Sequence, residues 1–466
     1  MTPIKFGTDG WRAIIALDYT VENVMRVSQA TALWLKKNYE QPKIVIGHDC
    51  RFGGDLFAKA VARIMCANGI KTFLAEGFVS TPMVSMGAKV FGAGIGVVIT
   101  ASHNPPSYNG FKLKSEHGGP SSPAIISEVE TMIPALVDIP LVSIDDYETD
   151  GLLEYVDLET MYVDAVRKSF DLDAINNSSV MVAYDAMYGA GQRVIPQILK
   201  SPILLHCDYN PSFKGIAPEP LDRNLAELAS LIRNSPNNVC GWATDGDADR
   251  IGMYDEDGNF VDAHHIILLL IHYLHKYKGM TGKVVVAFSV SDKVKKMCMK
   301  YGLPVEVTRI GFKYISDKMV QDDVLVGGEE SGGIAVKGHI PERDGIWDGL
   351  ILLEFMAKTG KTMKQIIGEV YDVVGSFSFD RLDLHLDESL KQQIIQNCRE
   401  NKYASFGSYQ VRRIEDIDGF KYHFDNDQWI MIRASGTEPL LRVYGEAATR
   451  EEVTELLQTA KKELLG

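Results

Sequence analysis

Cysteine is scarce in this chain of 466 residues, and its six thiols, Cys50, Cys66, Cys207, Cys240, Cys298 and Cys398, are scattered without paired spacing. No disulfide framework is spelled out, and a reduced, cytoplasmic compartment is the expectation. Long hydrophobic runs are missing too: the longest, Ile266 to Ile271, is far too short for a bilayer, so no membrane span is expected. The first residues, Met1-Thr2-Pro3-Ile4-Lys5-Phe6-Gly7-Thr8-Asp9, lack the charged and apolar regions of a secretory signal. Positive charge is in deficit, with a net charge of -14, which argues against general nucleic-acid affinity. Any anionic ligand must be small and held by a local group of Arg and Lys.

Three catalytic signatures are absent. Gly-x-Ser-x-Gly does not occur around Ser102, where Thr100 and Asn104 stand in place of the two glycines, which argues against a hydrolase elbow. Gly360-Lys361-Thr362 lacks the upstream P-loop glycine, which would fall at Phe355, and no Gly-x-Gly-x-x-Gly follows a strand. His264 and His265 have no metal-ligand spacing and read as structural.

What is present is an ordinary globular composition, 45% hydrophobic and 24% charged. At this length it implies roughly three or four domains. A strand, helix and strand pattern recurs three times. The first copy has strands at 43–47, 71–75 and 95–99 with a helix near 56–67; the second has strands at 180–184, 203–206 and 239–244 with a helix near 190–199. The third has strands at 283–287, 305–307 and 324–326 with a helix over 292–301. From about Gly375 the pattern changes to a helix near 388–400, strands near 428–433 and 440–446 and a helix over 451–465. The expected architecture is three related α/β domains with mixed sheets (1–140, 150–252, 253–372) and a C-terminal α+β domain (375–466) around a central cleft, ligands lying beyond the strand ends.

The last strand of each copy delivers a polar loop. After Ile95 to Ile99 comes Thr100-Ala101-Ser102-His103-Asn104-Pro105-Pro106, which holds a hydroxyl in the open at a sheet edge, as a nucleophile or phosphate carrier requires; a helix cap at Ser102 is the competing reading. After the second comes Asp245-Gly246-Asp247-Ala248-Asp249-Arg250. Carboxylates about 5 Å apart at an effective dielectric near 20 repel by roughly 3 kcal/mol per pair, so converging them calls for a cation, and an all-oxygen set suits Mg²⁺. An EF-hand fails because Arg250 stands where its glycine must be. After the third comes Gly328-Glu329-Glu330-Ser331-Gly332, able to grip sugar hydroxyls. Near the C-terminus, Arg433-Ala434-Ser435-Gly436-Thr437-Glu438-Pro439 combines a guanidinium, hydroxyls and a glycine amide, the mixture that binds a phosphate dianion; a simple turn at Gly436 is the alternative.

Together, and in this order from Gly7-Thr8-Asp9-Gly10-Trp11-Arg12 onward, these loops resemble those of the α-D-phosphohexomutase superfamily, the phosphoglucomutase and phosphomannomutase group. The resemblance covers essentially the whole chain. It implies a four-domain enzyme in which Ser102 is carried as phosphoserine and Mg²⁺ is held by Asp245, Asp247, Asp249 and an oxygen of that phosphoserine. A hexose 1-phosphate and a hexose 6-phosphate would interconvert through a 1,6-bisphosphate, with glucose 1,6-bisphosphate as activator. Arg12, Lys112 and Arg250 would stabilise the transferring group, and Lys112 and His103 are the candidates for proton transfer. By the same resemblance Glu329 and Ser331 would contact the sugar, Arg309, Gly311 and Lys313 would tune substrate choice, and Arg433, Ser435, Gly436 and Thr437 would hold the phosphate that is not reacting. Many bacterial relatives end the sugar loop with His where this chain has Gly333, so no role of that His carries over. The Glu-Glu-Ser form of the loop tilts the expectation toward glucose, with mannose or glucosamine phosphate as alternatives and a phosphatase or a non-catalytic sensor further off.

Overall fold

The computed structural model describes residues 4–7, 9–138, 142–434 and 440–466. Two compact units emerge from its internal contacts: one comprises residues 1–285 and 311–367, the other residues 286–310 and 368–466.

The first unit opens with a six-stranded mixed sheet. Its strands are β1 (Trp11–Ile14), β2 (Lys43–His48), β3 (Lys71–Ala75), β4 (Ile95–Ile99), β5 (Tyr108–Ser115) and β6 (Leu153–Val156), in the order β1-β5-β4-β2-β3-β6. β4 runs parallel to β2 and antiparallel to β5. Three helices flank these strands in the chain: α1 (Val21–Asn38), α2 (Gly54–Ala67) and α3 (Thr81–Val90). Thr20 caps α1 by accepting from the Asn23 N–H, and Ser80 caps α3 by accepting from Met83, with Pro82 in the first turn. Val24, Val27, Leu35, Val61, Ile64 and Met65 from α1 and α2 bury with Ile44, Ile46, Ile95 and Val97 in one apolar core.

A second sheet repeats the plan with β7 (Met181–Asp185), β8 (Ile203–Leu205), β9 (Val239–Thr244), β10 (Ile251–Tyr254) and β11 (Phe260–Val261), ordered β11-β10-β9-β7-β8. β9 is parallel to β7 and antiparallel to β10. Further on lie β12 (Lys283–Ala287) and β13 (Val305–Thr308), then β14 (Val324–Gly328), which pairs antiparallel with β15 (Ile334–Val336). Each of the three polar loops is therefore the connection of a hairpin: β4 to β5, β9 to β10, β14 to β15. The second unit carries β16 (Ser378–His385), β17 (Ser405–Phe406), β18 (Tyr409–Gln410), β19 (Arg413–Glu415), β20 (Phe420–His423), β21 (Trp429–Ala434) and β22 (Leu440–Ala447). Five of these form an antiparallel sheet, β16-β22-β21-β20-β19, with the helix Arg450–Leu465 packed on it through Val453, Leu456, Leu457 and Ala460.

Four local expectations need correction. β4 is an interior strand and Ser102 is 1% exposed, so the hydroxyl is buried rather than held open at an edge. No helix follows Ser102; the chain turns through Pro105 directly into β5, which removes the helix-cap reading. The helix expected over 190–199 breaks into a 3₁₀ turn at Ala190–Arg193 and a short helix at Ile195–Ile198, because glycines flank Ala190 and Pro196 interrupts the amide series. β14 runs on through Gly327 and Gly328, which are not loop but strand: a Cβ on them would press to within 2.4 Å of Ile315 and 2.7 Å of Ile267. They are glycine because side chains pack flat against that stretch.

Candidate active site

The Ser102 loop and the acidic loop meet directly. Ser102 adopts φ of 53°, donates from Oγ to Asp245 Oδ2 at 2.7 Å and lies 3.3 Å from His103 Nδ1. Gly246 lets the loops touch, since a Cβ there would stand 2.6 Å from the Ser102 carbonyl. The third loop joins them through Gly332, whose carbonyl accepts from the Ile251 N–H at the start of β10.

Asp245, Asp247 and Asp249 are fully buried, and one oxygen of each lies within 4.8 Å of the others. Among the described residues no other set of His, Cys, Asp or Glu converges this way. Their second oxygens are mostly committed. Asp245 Oδ1 accepts from the Asp249 and Arg250 amides, Asp247 Oδ2 from Thr81 Oγ1 and Lys112 Nζ, and Asp249 Oδ2 faces Lys112 at 3.1 Å and Arg343 at 2.7 Å. That leaves Asp247 Oδ1 and Asp249 Oδ1 buried with no hydrogen-bond partner. Orphaned carboxylate oxygens beside Ser102 Oγ form a hard, all-oxygen set, and the residues fit a divalent cation such as Mg²⁺. Burial, reinforced by Asp247 and Asp249, pushes the Asp245 carboxyl well above its usual range. A divalent cation in this set reverses that penalty.

Cationic side chains crowd the same place. Lys112, on β5 opposite Val98, reaches Asp9 at 2.9 Å as well as Asp247 and Asp249. Burial disfavours its charge, but the three carboxylates override this and raise its pKa, so it stays an ammonium. It supplies fixed positive charge, and with its proton held this firmly it serves neither as a ready acid nor as a base. His103 is the reverse case: burial, then Arg250, Arg12 and Lys112, hold its pKa well below the ordinary histidine value, so its imidazole is neutral and would keep a proton only briefly. Arg12 donates to Asn104 Oδ1 at 2.6 Å, and Arg250 lies 3.5 Å from Glu219.

Several members of this cluster escaped sequence reasoning. Arg343, in the charge-dense run Pro341-Glu342-Arg343-Asp344, bridges Asp249 and Asp9, each at 2.7 Å, over the Phe312 ring. A Cβ on Gly333 would sit 2.4 Å from Arg343 Cδ. The glycine at the end of the sugar loop is thus what gives Arg343 its path to the carboxylates. Asp9 precedes Gly10, whose φ of 89° allows the turn to lie on β5, where a Cβ would approach the Phe111 carbonyl to 2.6 Å. Burial would raise the Asp9 pKa, yet Lys112 and Arg343 hold it well below the carboxylate range. Thr81 at the start of α3 and Glu342, bonded to Lys114 at 2.6 Å, complete the set. A charge run and a polar helix start were the available signals, and neither says what it touches.

In the third loop Glu329 is buried and accepts from the Gly311 N–H at 2.8 Å, with Ser331 half-buried beside it; burial and Glu330 push the Glu329 carboxyl up to about 7. Lys313 lies over the Tyr314 ring. The second unit, by itself, holds Arg309 and Arg433 on an open cavity of about 980 Å³ that Arg399, Arg412, Arg413, Asp416 and Asp418 also line. Arg433 is 3.4 Å from Asp418. Ser435, Gly436 and Thr437 lie outside the described residues.

Comparison with known proteins bears on the whole chain. Four consecutive segments match phosphoglucomutase/phosphomannomutase domains: alpha/beta/alpha domain I over residues 3–137, domain II over 160–258, domain III over 262–374 and the C-terminal domain over 394–462. Among curated relatives, a phosphoglucomutase/phosphomannomutase of Thermococcus kodakarensis is 28% identical over 98% of this chain and 97% of its own length. A probable phosphoglucosamine mutase of the same organism is 30% identical with the same coverage. The crystal structure of a putative phosphomannomutase from Thermus thermophilus superimposes with a TM-score of 0.88 at 31% identity, covering 100% of both chains.

Proposed function

Since the chain belongs to the phosphoglucomutase/phosphomannomutase family and is a phosphohexomutase, an isomerase, we propose that it interconverts hexose 1-phosphate and hexose 6-phosphate by carrying a phosphoryl group on Ser102, with glucose phosphate as preferred substrate. The observation that carries this reading is the Ser102 hydroxyl, 2.7 Å from Asp245 at the mouth of the buried carboxylate triad. The phosphoryl group passes from Ser102 Oγ to a sugar hydroxyl, giving a hexose 1,6-bisphosphate; the other phosphate then returns to Ser102, and the net reaction is an isomerisation. Glucose 1,6-bisphosphate accordingly serves as activator by loading the serine.

Asp245, Asp247 and Asp249, with an oxygen of phosphoserine, would hold Mg²⁺, which supplies neutralisation of charge on the transferring group when bound. Lys112, Arg12 and Arg250 add fixed positive charge around the same oxygens, where positioning and electrostatics dominate phosphoryl transfer. Neutral His103, 3.3 Å from Ser102 Oγ, takes the proton of the attacking hydroxyl in passing and delivers it to Ser102 Oγ as the phosphoryl group leaves. Glu329 and Ser331 orient the sugar, Gly311 fixes Glu329, and Arg309 and Lys313 tune substrate choice. Arg433 with Ser435, Gly436 and Thr437 grips the distal phosphate. The four matched segments support a division into four domains at 1–140, 150–252, 253–372 and 375–466.

A second reading, glucosamine phosphate as substrate, is favoured by the names of several curated relatives. The test is turnover of the 1-phosphates of glucose, mannose and glucosamine with Mg²⁺ and a trace of glucose 1,6-bisphosphate, reading 6-phosphates and free phosphate together. Isomer without free phosphate supports the mutase and ranks the sugars. Free phosphate alone overturns it in favour of a phosphatase, and silence on all three favours a sensor.

A further inference from the structure

Between β2 and α2 lies a buried arginine with no place in the chemistry so far. Arg51 is 1% exposed. Its Nη1 donates to the carbonyls of Pro105 at 2.9 Å and Tyr108 at 3.0 Å, and its Nη2 to those of Ser102 at 2.6 Å and Asn104 at 2.7 Å. Four main-chain carbonyls of the loop thus gather around one planar guanidinium, while its Nε faces Asp49 Oδ2 at 3.3 Å. Asp49 also accepts from the Arg51 N–H and from Thr100 Oγ1 at 2.6 Å, and Thr100 Oγ1 in turn accepts from the Ser102 N–H at 2.8 Å. Phe213 covers the guanidinium, its ring centroid 5.0 Å from Arg51 Cζ.

The backbone these bonds hold is unfavourable by itself. Ser102 stands at φ of 53°, where a side chain with a Cβ is strained and persists only if its surroundings over-determine it. Both backbone groups of Ser102 are fixed from the same short segment, the carbonyl by Arg51 and the N–H through Thr100 and Asp49.

We propose that Arg51, with Asp49 and Thr100, is a positioning clamp that sets the left-handed conformation of Ser102 and so aims its Oγ at the metal site and the incoming sugar phosphate. Arg51 touches no reacting atom and acts through the loop. Lysine cannot substitute, because an ammonium has three donors radiating from one point where the loop needs four from a plane. The proposal rests on Ser102 being the phosphoryl carrier.

The test compares wild type, Arg51→Lys, Arg51→Ala and a core control, Val61→Ala, in the full chain. Three quantities are read: the rate at which glucose 1,6-bisphosphate phosphorylates Ser102, by mass spectrometry; KM and kcat for the best hexose 1-phosphate; and Mn²⁺ affinity by calorimetry. A misaimed nucleophile predicts a fall of about a hundredfold in the phosphorylation rate and kcat of Arg51→Lys, with KM and Mn²⁺ affinity held within about threefold. Millimolar guanidinium should restore Arg51→Ala by about tenfold or more and leave Arg51→Lys unmoved. Phosphorylation by Arg51→Lys at near wild-type rate, or losses that merely track melting temperature as in Val61→Ala, would overturn the clamp. Should both Arg51 variants fail to fold, Thr100→Val carries the question: a fall in kcat of about tenfold with unchanged KM supports the clamp, and no fall overturns it. If wild-type Ser102 never becomes phosphorylated, the carrier reading has failed instead; the clamp is then judged from the Arg51→Lys crystal structure, where Ser102 must leave its left-handed φ.

Discussion

The carboxylate triad of the first unit and the arginine-lined cavity of the second are both charged, but they are charged in opposite ways. In the first, buried Asp247 and Asp249 and half-buried Asp9 meet buried Lys112 and Arg343 in contacts of 2.7 to 3.1 Å, so these two cations are already paired. In the second, the cavity is open and its arginines lie against solvent-facing acids, as Arg412 does against Asp425 at 2.8 Å. Buried, paired charge is costly to disturb and holds its geometry, whereas exposed pairs contribute little and can be exchanged for a ligand. The two places are different physical environments, one buried and already paired, the other open and free to exchange partners.

Substitutions that push on each side of this contrast should give effects of graded size. The largest belongs to Ser102→Ala, which removes the carrier oxygen and should cut kcat by about 10⁴-fold or more while melting shifts little; near wild-type turnover in initial-rate assays would end the mechanism. Chelation comes next: EDTA should silence the enzyme and Mg²⁺ should restore it, and activity surviving in chelator would remove the metal role from the triad. Third, Gly333→Ala should displace Arg343 from Asp249 and Asp9, lowering kcat by about a hundredfold and weakening Mn²⁺ binding; unchanged calorimetry would show that Arg343 is dispensable. In the open cavity the split should invert, with Arg433→Ala raising KM about tenfold and moving kcat little.

The smallest effect is one of pH. Glu329 must be ionised to accept sugar hydroxyls, and its raised pKa of about 7 means the competent form is lost as pH falls through that value. The kcat/KM profile should therefore carry an acid limb near pH 7, which Glu329→Gln removes. His103, neutral because its pKa is depressed, should add no limb in the range of an ordinary histidine.

Much of this was legible in the residue order. The strands at 71–75, 95–99, 239–244 and 283–287 stand where their apolar runs place them, because short, mainly apolar stretches bounded by turn residues have few other uses. The alternate-residue carboxylates of 245–249 converge as their spacing led one to expect, for the same local reason. Less visible were the strands β16, β19 and β20, whose half-polar composition hides their period, and the helix interrupted at Pro196. Asp9, Thr81 and Arg343 stayed hidden because their meaning is a contact across tens or hundreds of residues.

The burial of Ser102 marks the same boundary. Local chemistry, the type of residue after each strand and the spacing of its polar groups, is written in the chain and set the family, the serine loop and the acidic triad. Which charges pair, which oxygens are left orphaned and how the serine is aimed depend on Arg51 closing on carbonyls at 102, 104, 105 and 108 and on Gly333 making room for Arg343. Such pairings exist only once hairpins distant in sequence are packed together, since a buried charge has no preferred partner until water is excluded from around it.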